Sequence, residues 1–90
     1  MRRIEVIVIG QVQGVWFRKY TQEKARELGI TGWIRNESDG TVTLVAEGND
    51  TLLIKLTKWL EIRSPNANVD TLNVNWGDSK EKLNSFEVIK

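Results

Sequence analysis

The first thirty residues change from strand-like to helix-like patterning. Residues 4–9 are apolar at every position except Glu5 and rich in β-branched side chains, which is typical of a strand covered on at least one face. From residue 17 onward the period becomes helical, with one apolar stripe formed by Phe17, Tyr20, Ala25 and Leu28. Gly29 then supplies a C-terminal stop. The pattern predicts a strand, a loop and a helix.

The next segment predicts two antiparallel strands. Residues 31–35 are strand-like, and residues 41–47 alternate between apolar and polar side chains. Between them lies Ser38-Asp39-Gly40, which indicates a hairpin turn because an Asp-Gly pair accommodates the positive φ angles that such turns require.

The second half predicts a second helix and two further strands. Gly48-Asn49-Asp50 offers a helix N-cap before a stripe of leucines, and Pro65 closes that segment. Residues 69–76 alternate again, and residues 86–89 are typical of a short terminal strand. The order β-α-β-β-α-β with a short C-terminal strand predicts a single domain over residues 1–90. Its expected class is α+β, a ferredoxin-like split βαβ sandwich in which both helices cover one face of an antiparallel sheet.

Composition removes several kinds of chemistry. The 90 residues include 13 Lys and Arg against 12 Asp and Glu, for a formal charge of +1, which argues against strong non-specific binding to nucleic acid or membrane. With no Cys and no His, the chain lacks a thiolate nucleophile, the commonest general base and the commonest metal ligands. We therefore expect no metal and no cofactor. The N-terminal apolar run contains a glutamate and no cleavage-site pattern, so a cytoplasmic protein is expected.

The junction between the first strand and the first helix carries the main functional signal. A tight glycine-containing turn presents successive backbone N–H groups, and the adjoining helix N-terminus contributes its positive dipole end. Arg18 adds a donor fork that matches phosphate or carboxylate. In the predicted topology Asn36, at the end of the second strand, faces the same rim across about two strand spacings, or roughly 10 Å. Together these features predict a site for a tetrahedral oxyanion.

The residues of this junction resemble the acylphosphatase family. The string GQVQGVWFR at residues 10–18 is followed by further matching positions along nearly the whole chain. These positions are Ala25, Leu28-Gly29, Gly32-Trp33, Asn36, Asp39-Gly40, Val42, Glu47-Gly48, Trp59-Leu60, Pro65, Ala67, Val69, Trp76 and Phe86. The resemblance implies the same ferredoxin-like fold, with the last strand on an outer edge of the sheet.

The resemblance also implies an activity: hydrolysis of the carboxyl-phosphate bond of acyl phosphates to a carboxylate and inorganic phosphate, by water attack without metal. It implies that Arg18 and Asn36 are catalytic, with Arg18 clamping the phosphate and Asn36 positioning the water. A phosphate oxygen of the substrate is implied as the proton acceptor. The residues implied to bind phosphate, or a sulfate in its place, are Gln11, Val12, Gln13, Gly14, Val15, Trp16, Phe17 and Arg18.

Several side chains have structural interpretations beside the functional ones. Position 16 is often small in the family, and we expect Trp16 to pack across the loop rather than stack on an acyl group. Glu37 is expected to point into solvent, and Gln13 either braces the loop or touches the ligand. The remaining tryptophans, at positions 33, 59 and 76, are expected in the core.

Other functions of the same topology remain as alternatives. An RNA-binding module would display aromatic side chains on the two central strands, and residues 4–9 and 41–47 contain none. A non-catalytic binder of phosphate or another small ligand is the main alternative, because a fold does not fix a function. A related one is an acylphosphatase-like domain of a larger protein, acting on carbamoyl phosphate. The end of the chain at Lys90 favours a free-standing enzyme, which we expect to be a monomer with no nucleic-acid or membrane partner.

Overall fold

The structure, a computed structural model, describes residues 1–14, 16–62, 68–79 and 83–89. Five strands and two helices follow one another along the described residues. In chain order they are β1 (Arg2–Gln11), α1 (Phe17–Glu27), β2 (Thr31–Asn36), β3 (Val42–Gly48), α2 (Asp50–Ile62), β4 (Asn68–Asp78) and β5 (Phe86–Val88).

The strands form one sheet in the order β4-β1-β3-β2-β5. β1 runs antiparallel to both β3 and β4, and β2 runs antiparallel to β3, while β5 lies parallel to β2 on the outer edge. This confirms the ferredoxin-like arrangement and the insertion of β3 between two parallel strands. The short fifth strand makes the sheet mixed. Because β1 and β2 are parallel, their C-terminal ends share one rim.

The core lies between the sheet and the helices. Ile4, Val6 and Val8 of β1 are fully buried and oppose Ala46, Leu44 and Val42 of β3 in the register. The leucines of the α2 stripe, at positions 53, 56 and 60, are also fully buried. Burial of each of these leucine side chains stabilises the fold by about 1.5–3 kcal/mol relative to leaving it exposed. On α1 the buried positions are Phe17, Thr21 and Ala25, so the stripe passes through Thr21 rather than through Tyr20.

The local signals at helix ends and turns are confirmed where the structure describes them. Asn49 Oδ1 accepts a 2.9 Å hydrogen bond from the N–H of Leu52 and so caps α2. Gly29, which follows the C-cap residue Leu28 of α1, adopts a φ of 73°. In the turn between β2 and β3, Asp39 Oδ1 accepts a 3.0 Å hydrogen bond from the N–H of Thr41. The expected helix stop at Pro65 lies outside the described residues.

Two of the three tryptophans expected in the core are not there. Trp33 opposes Val45 on the sheet face away from the helices, where it is half-buried beneath Arg35, whose Cζ lies 5.1 Å from the ring centroid. Trp76 is on the helix side, but β4 is an edge strand, and 41% of the residue remains exposed. Only Trp59 packs against the core, and it is partly buried.

Both described helices are too short, or not apolar enough, to cross a lipid bilayer.

Candidate functional site

The two glycines that flank the loop after β1 serve different purposes. At Gly10 a Cβ atom would lie 2.1 Å from the carbonyl oxygen of Asn68, so only glycine allows β4 to come this close, at a point where the β1–β4 register shifts. At Gly14 no atom lies within 4 Å of an added Cβ, but the φ angle is 76°. Gly14 is therefore required by the turn itself, whereas Gly10 is required both by its φ angle of 145° and by the approach of the neighbouring strand.

The backbone amides of this bend are unused within the described part of the chain. The N–H groups of Gln13, Gly14 and Trp16 donate to no described residue, and neither do those of the first three residues of α1. The first amide with an internal acceptor is that of Tyr20, which donates 3.0 Å to the carbonyl of Trp16. Unpaired amides at a helix N-terminus form a ready site for an anion.

Trp16 occupies the N-cap position of α1 in the left-handed conformation, with φ 62° and ψ 17°. It is the only non-glycine residue with positive φ among those the structure describes, and 70% of it is exposed. The expectation that Trp16 packs across the loop is therefore wrong. A bulky side chain costs about 1–2 kcal/mol in this backbone region.

Two cations follow in the first turn of α1 without acidic partners. No carboxylate among the described residues lies within 4 Å of the guanidinium of Arg18 or the ammonium of Lys19. The Lys19 Nζ instead lies 5.7 Å from the centroid of the Trp16 ring. Both charges thus remain available to an anion and add to the positive end of the helix dipole.

The bend opens into a cavity of about 430 Å³. Its walls include six of the nine residues that the sequence predicts for the site, namely Val12, Gly14, Trp16, Phe17, Arg18 and Asn36. Two further wall residues, Lys19 and Val88, were not predicted. The position of Lys19 directly after Arg18 in the same helical turn could have indicated it, whereas Val88 reaches the cavity only because β5 lies beside β2.

Asn36, the last residue of β2, is on the helix side of the sheet opposite Val42. Its Oδ1 atom is buried and accepts no hydrogen bond from any described residue. A buried polar atom without a partner costs about 1–3 kcal/mol, so a donor from outside the chain is favoured at this position. Asn36 and Arg18 thus line the same cavity, and the carboxamide of Asn36 holds an acceptor that no described residue satisfies.

The remaining predicted residues lie beside the cavity rather than in its walls. Gln11 pairs with Asn68 in the β1–β4 ladder. The side chain of Gln13 turns away and donates hydrogen bonds of 2.9 and 2.8 Å to the carbonyl oxygens of Glu37 and Thr41. This favours bracing as the role of the Gln13 side chain. The predicted contact at Val15 lies outside the described residues.

The carboxylate next to Asn36 is held away from the cavity. Glu37 accepts a 3.1 Å hydrogen bond from Arg35 Nε, and both Arg35 and Thr43 lie on the sheet face opposite to Asn36. A hydrogen bond from the Thr43 hydroxyl and a second from Arg35 lower the pKa of Glu37 below its ordinary value. Glu37 therefore stays ionised and paired, and its charge is directed away from an anion bound beside Asn36.

The described residues contain no group of three or more carboxylate, imidazole or thiolate side chains that could hold a metal ion. The donors that converge on the cavity are amides and cations, which select an anion rather than a metal.

Comparisons with known proteins agree with this geometry. The family model described as Acylphosphatase matches residues 4–88. The acylphosphatase of Pelotomaculum thermopropionicum is 43% identical over 86 residues, which cover 96% of this chain and 94% of that protein. The acylphosphatase of Salinibacter ruber is 41% identical over 87 residues, covering 97% and 92% of the two chains. The crystal structure of the Bacillus subtilis acylphosphatase superposes with a TM-score of 0.95 at 32% identity, with full coverage of both chains.

Proposed function

The chain belongs to the acylphosphatase family and hydrolyses the carboxyl-phosphate bond of acyl phosphates, and we propose that the cavity at the β1–α1 bend is where this reaction occurs. The observation that carries the proposal is the convergence of two unsatisfied groups on one cavity. The Arg18 guanidinium has no acidic partner among the described residues, and the buried Oδ1 of Asn36 has no donor there.

The phosphoryl group binds in the bend. Its non-bridging oxygens accept hydrogen bonds from the free amides of Gly14 and Trp16 and from the first turn of α1. The Arg18 guanidinium donates to the same oxygens from the side. Phosphoryl transfer depends mainly on positioning and on stabilising the charge of the equatorial oxygens, and these donors supply both.

Asn36 orients the attacking water. Its Oδ1 accepts a hydrogen bond from one water O–H, which directs a water lone pair at phosphorus from the side opposite to the carboxylate. As the P–O bond to water forms, the P–O bond to the acyl carboxylate breaks. The proton of the water passes to a phosphate oxygen of the substrate, so the products are a carboxylate and inorganic phosphate.

The chemistry of the leaving group makes a metal or a general acid unnecessary. An acyl phosphate is a mixed anhydride, and its leaving carboxylate is a weak base that needs no proton in order to depart. The proposed site accordingly uses amides, one guanidinium and one carboxamide. A binder of phosphate without catalysis is the less favoured alternative, since the relatives are enzymes that match this chain over almost its whole length.

The test is hydrolysis of benzoyl phosphate by the wild-type protein, Asn36→Ala and Arg18→Ala, each with and without a metal chelator. We expect both substitutions to lower kcat by about 10²–10³, as loss of a donor to a developing oxyanion does, and we expect the chelator to have no effect. Loss of wild-type activity with the chelator would contradict the metal-free mechanism.

Matched controls separate the site from general effects of the substitutions. Arg26→Ala removes an arginine of the same helix that pairs with Glu87 on the surface, and Asn75→Ala removes an exposed asparagine of β4. Both controls should retain wild-type kcat. Full activity in Asn36→Ala would remove Asn36 from the role proposed here.

We further propose a cytoplasmic monomer. The apolar run of residues 4–9 belongs to β1, an interior strand of the sheet, which supports its being part of the folded enzyme. Every side chain proposed for the site comes from one chain, so the reaction does not call for a second copy.

A further inference from the structure

Trp16 combines three properties that burial does not explain. Its backbone is in a strained left-handed conformation, 70% of it is exposed, and it lines the cavity beside Arg18. Large side chains in this backbone region are rare, and no burial compensates for the strain here. An exposed aromatic ring at the mouth of a binding cavity is typically a contact surface for a ligand.

The space around Trp16 exceeds what a phosphoryl group fills. A volume of about 430 Å³ falls in the range of cavities that hold whole small-molecule ligands. If the phosphoryl group lies in the amides of the bend, the acyl group must occupy the part of the cavity outside that bend. The apolar surface exposed there comes from Trp16 at the N-terminus of α1 and from Val88 of β5, which is 36% exposed.

Lys19 orders the Trp16 ring. Its Nζ lies 5.7 Å from the ring centroid, and it has no acidic partner among the described residues. A cation–π contact of this length restricts an otherwise mobile side chain, so less entropy is lost when a ligand stacks on the ring.

We propose that Trp16 and Val88 form an acyl-group subsite that gives this enzyme a preference for acyl phosphates with a flat, apolar acyl group. This inference rests on the proposed function, because it places the phosphoryl group in the bend. Trp16 is a specificity-determining residue here, since its indole contacts the acyl part of the substrate and not the reacting phosphorus.

The experiment compares kcat/KM for benzoyl phosphate and acetyl phosphate in the wild-type protein, Trp16→Gly and Trp16→Phe. Stacking on an aromatic side chain changes affinity by about tenfold, so the benzoyl-to-acetyl ratio should fall about tenfold in Trp16→Gly. Trp16→Phe keeps a flat ring and should retain most of the ratio. Glycine is favoured at positive φ, so Trp16→Gly is expected to fold.

Trp76→Ala is the matched control, because Trp76 is also exposed and also contacts a cation, with the Arg2 Cζ 5.3 Å from its ring, but does not line the cavity. The benzoyl-to-acetyl ratio of kcat/KM in Trp76→Ala should equal that of the wild type. An unchanged ratio in Trp16→Gly, or an equal fall in Trp16→Gly and Trp16→Phe, would overturn the subsite. Asn36→Ala is measured on both substrates in the same assay. If it is inactive on both while the Trp16→Gly ratio is unchanged, the subsite is overturned but the proposed function is not.

Discussion

The side-chain amide of Gln13 donates a 2.8 Å hydrogen bond to the backbone carbonyl of Thr41, a residue 28 positions further along the chain. A second hydrogen bond of 2.9 Å from the same nitrogen reaches the carbonyl of Glu37, the residue after Asn36. One side chain thus ties the bend that carries the free amides to the end of the strand that carries Asn36. The geometry of the site depends on this link, because the two halves come from separate strands.

We predict that Gln13→Leu lowers kcat/KM for benzoyl phosphate about tenfold or more, because a shift of the bend relative to Asn36 misplaces the reacting groups. The carbonyls of Glu37 and Thr41 also lose one donor each but keep a backbone N–H donor, so the cost in the free energy of unfolding should be about 1 kcal/mol. Steady-state kinetics and urea denaturation measure the two effects.

Gln22→Leu is the control for Gln13→Leu. Gln22 Nε2 likewise donates to a strand carbonyl, that of Phe86 at 3.0 Å, but neither residue lines the cavity. A comparable loss of stability with retained kcat/KM is expected. Equal kinetic losses in the two variants would show that the Gln13 link has no special role in positioning.

A second prediction concerns stability at acidic pH. The hydrogen bonds from Thr43 and Arg35 place the folded-state pKa of Glu37 below its ordinary value of 4.5. Ionised Glu37 therefore stabilises the fold fully above about pH 4.5, and this contribution disappears as the pH falls through the lower folded-state pKa. The difference in unfolding free energy between the wild type and Glu37→Gln should accordingly shrink as the pH falls from about 7 to about 2.

Urea denaturation over this pH range tests the prediction, with Glu61→Gln as the control. Glu61 is exposed on α2 and has no ion pair or side-chain hydrogen bond with a described residue, so the wild-type and control curves should stay parallel. If the difference in unfolding free energy between the wild type and Glu37→Gln instead widens toward low pH, the lowered pKa assigned to Glu37 is contradicted. The effect is expected to be small, because Glu37 is partly exposed and screened by solvent.

The order of elements could be predicted from the sequence because local signals and the hydrophobic period agree. The cap at Asn49, the turn at Asp39 and Gly40 and the positive φ of Gly29 each follow from local chemistry and appear in the structure. Arg18 and Asn36 could be placed at one rim because the right-handed topology fixes which strand ends meet.

The tryptophans could not be placed from the sequence, because hydrophobic character does not report which face or edge of a sheet a residue occupies. Trp33 lies in a segment with strand-like patterning, but its pairing with Val45 places it on the sheet face that the helices do not cover. Trp76 is on the covered side, but the edge position of β4 leaves it exposed. Trp16 depends on a backbone angle of φ 62° that the sequence alone does not indicate for a bulky residue.

Gly10 and Gly14 give the third prediction, because both have a positive φ but only Gly10 also has backbone atoms of β4 in the way of a Cβ. In Gly10→Ala the new Cβ would lie 2.1 Å from the Asn68 carbonyl oxygen and 2.9 Å from the Asp70 nitrogen, so β4 must move away from β1. A displacement of paired backbone should cost at least about 3 kcal/mol in the free energy of unfolding. In Gly14→Ala the space is free and only the positive φ opposes the substitution, at about 1–2 kcal/mol.

Thermal and urea denaturation of the two alanine variants measure this difference, with Gly77→Ala as the control. Gly77 lies in β4 with no atom within 4 Å of an added Cβ and no positive φ, so its replacement should be close to neutral or slightly stabilising. Equal losses in Gly10→Ala and Gly14→Ala would mean that the approach of β4 is not what requires glycine at position 10. Because both glycines have a positive φ, the part of the Gly10→Ala loss that exceeds the Gly14→Ala loss would identify the contact between β1 and β4 as a constraint on the strand that leads into the bend.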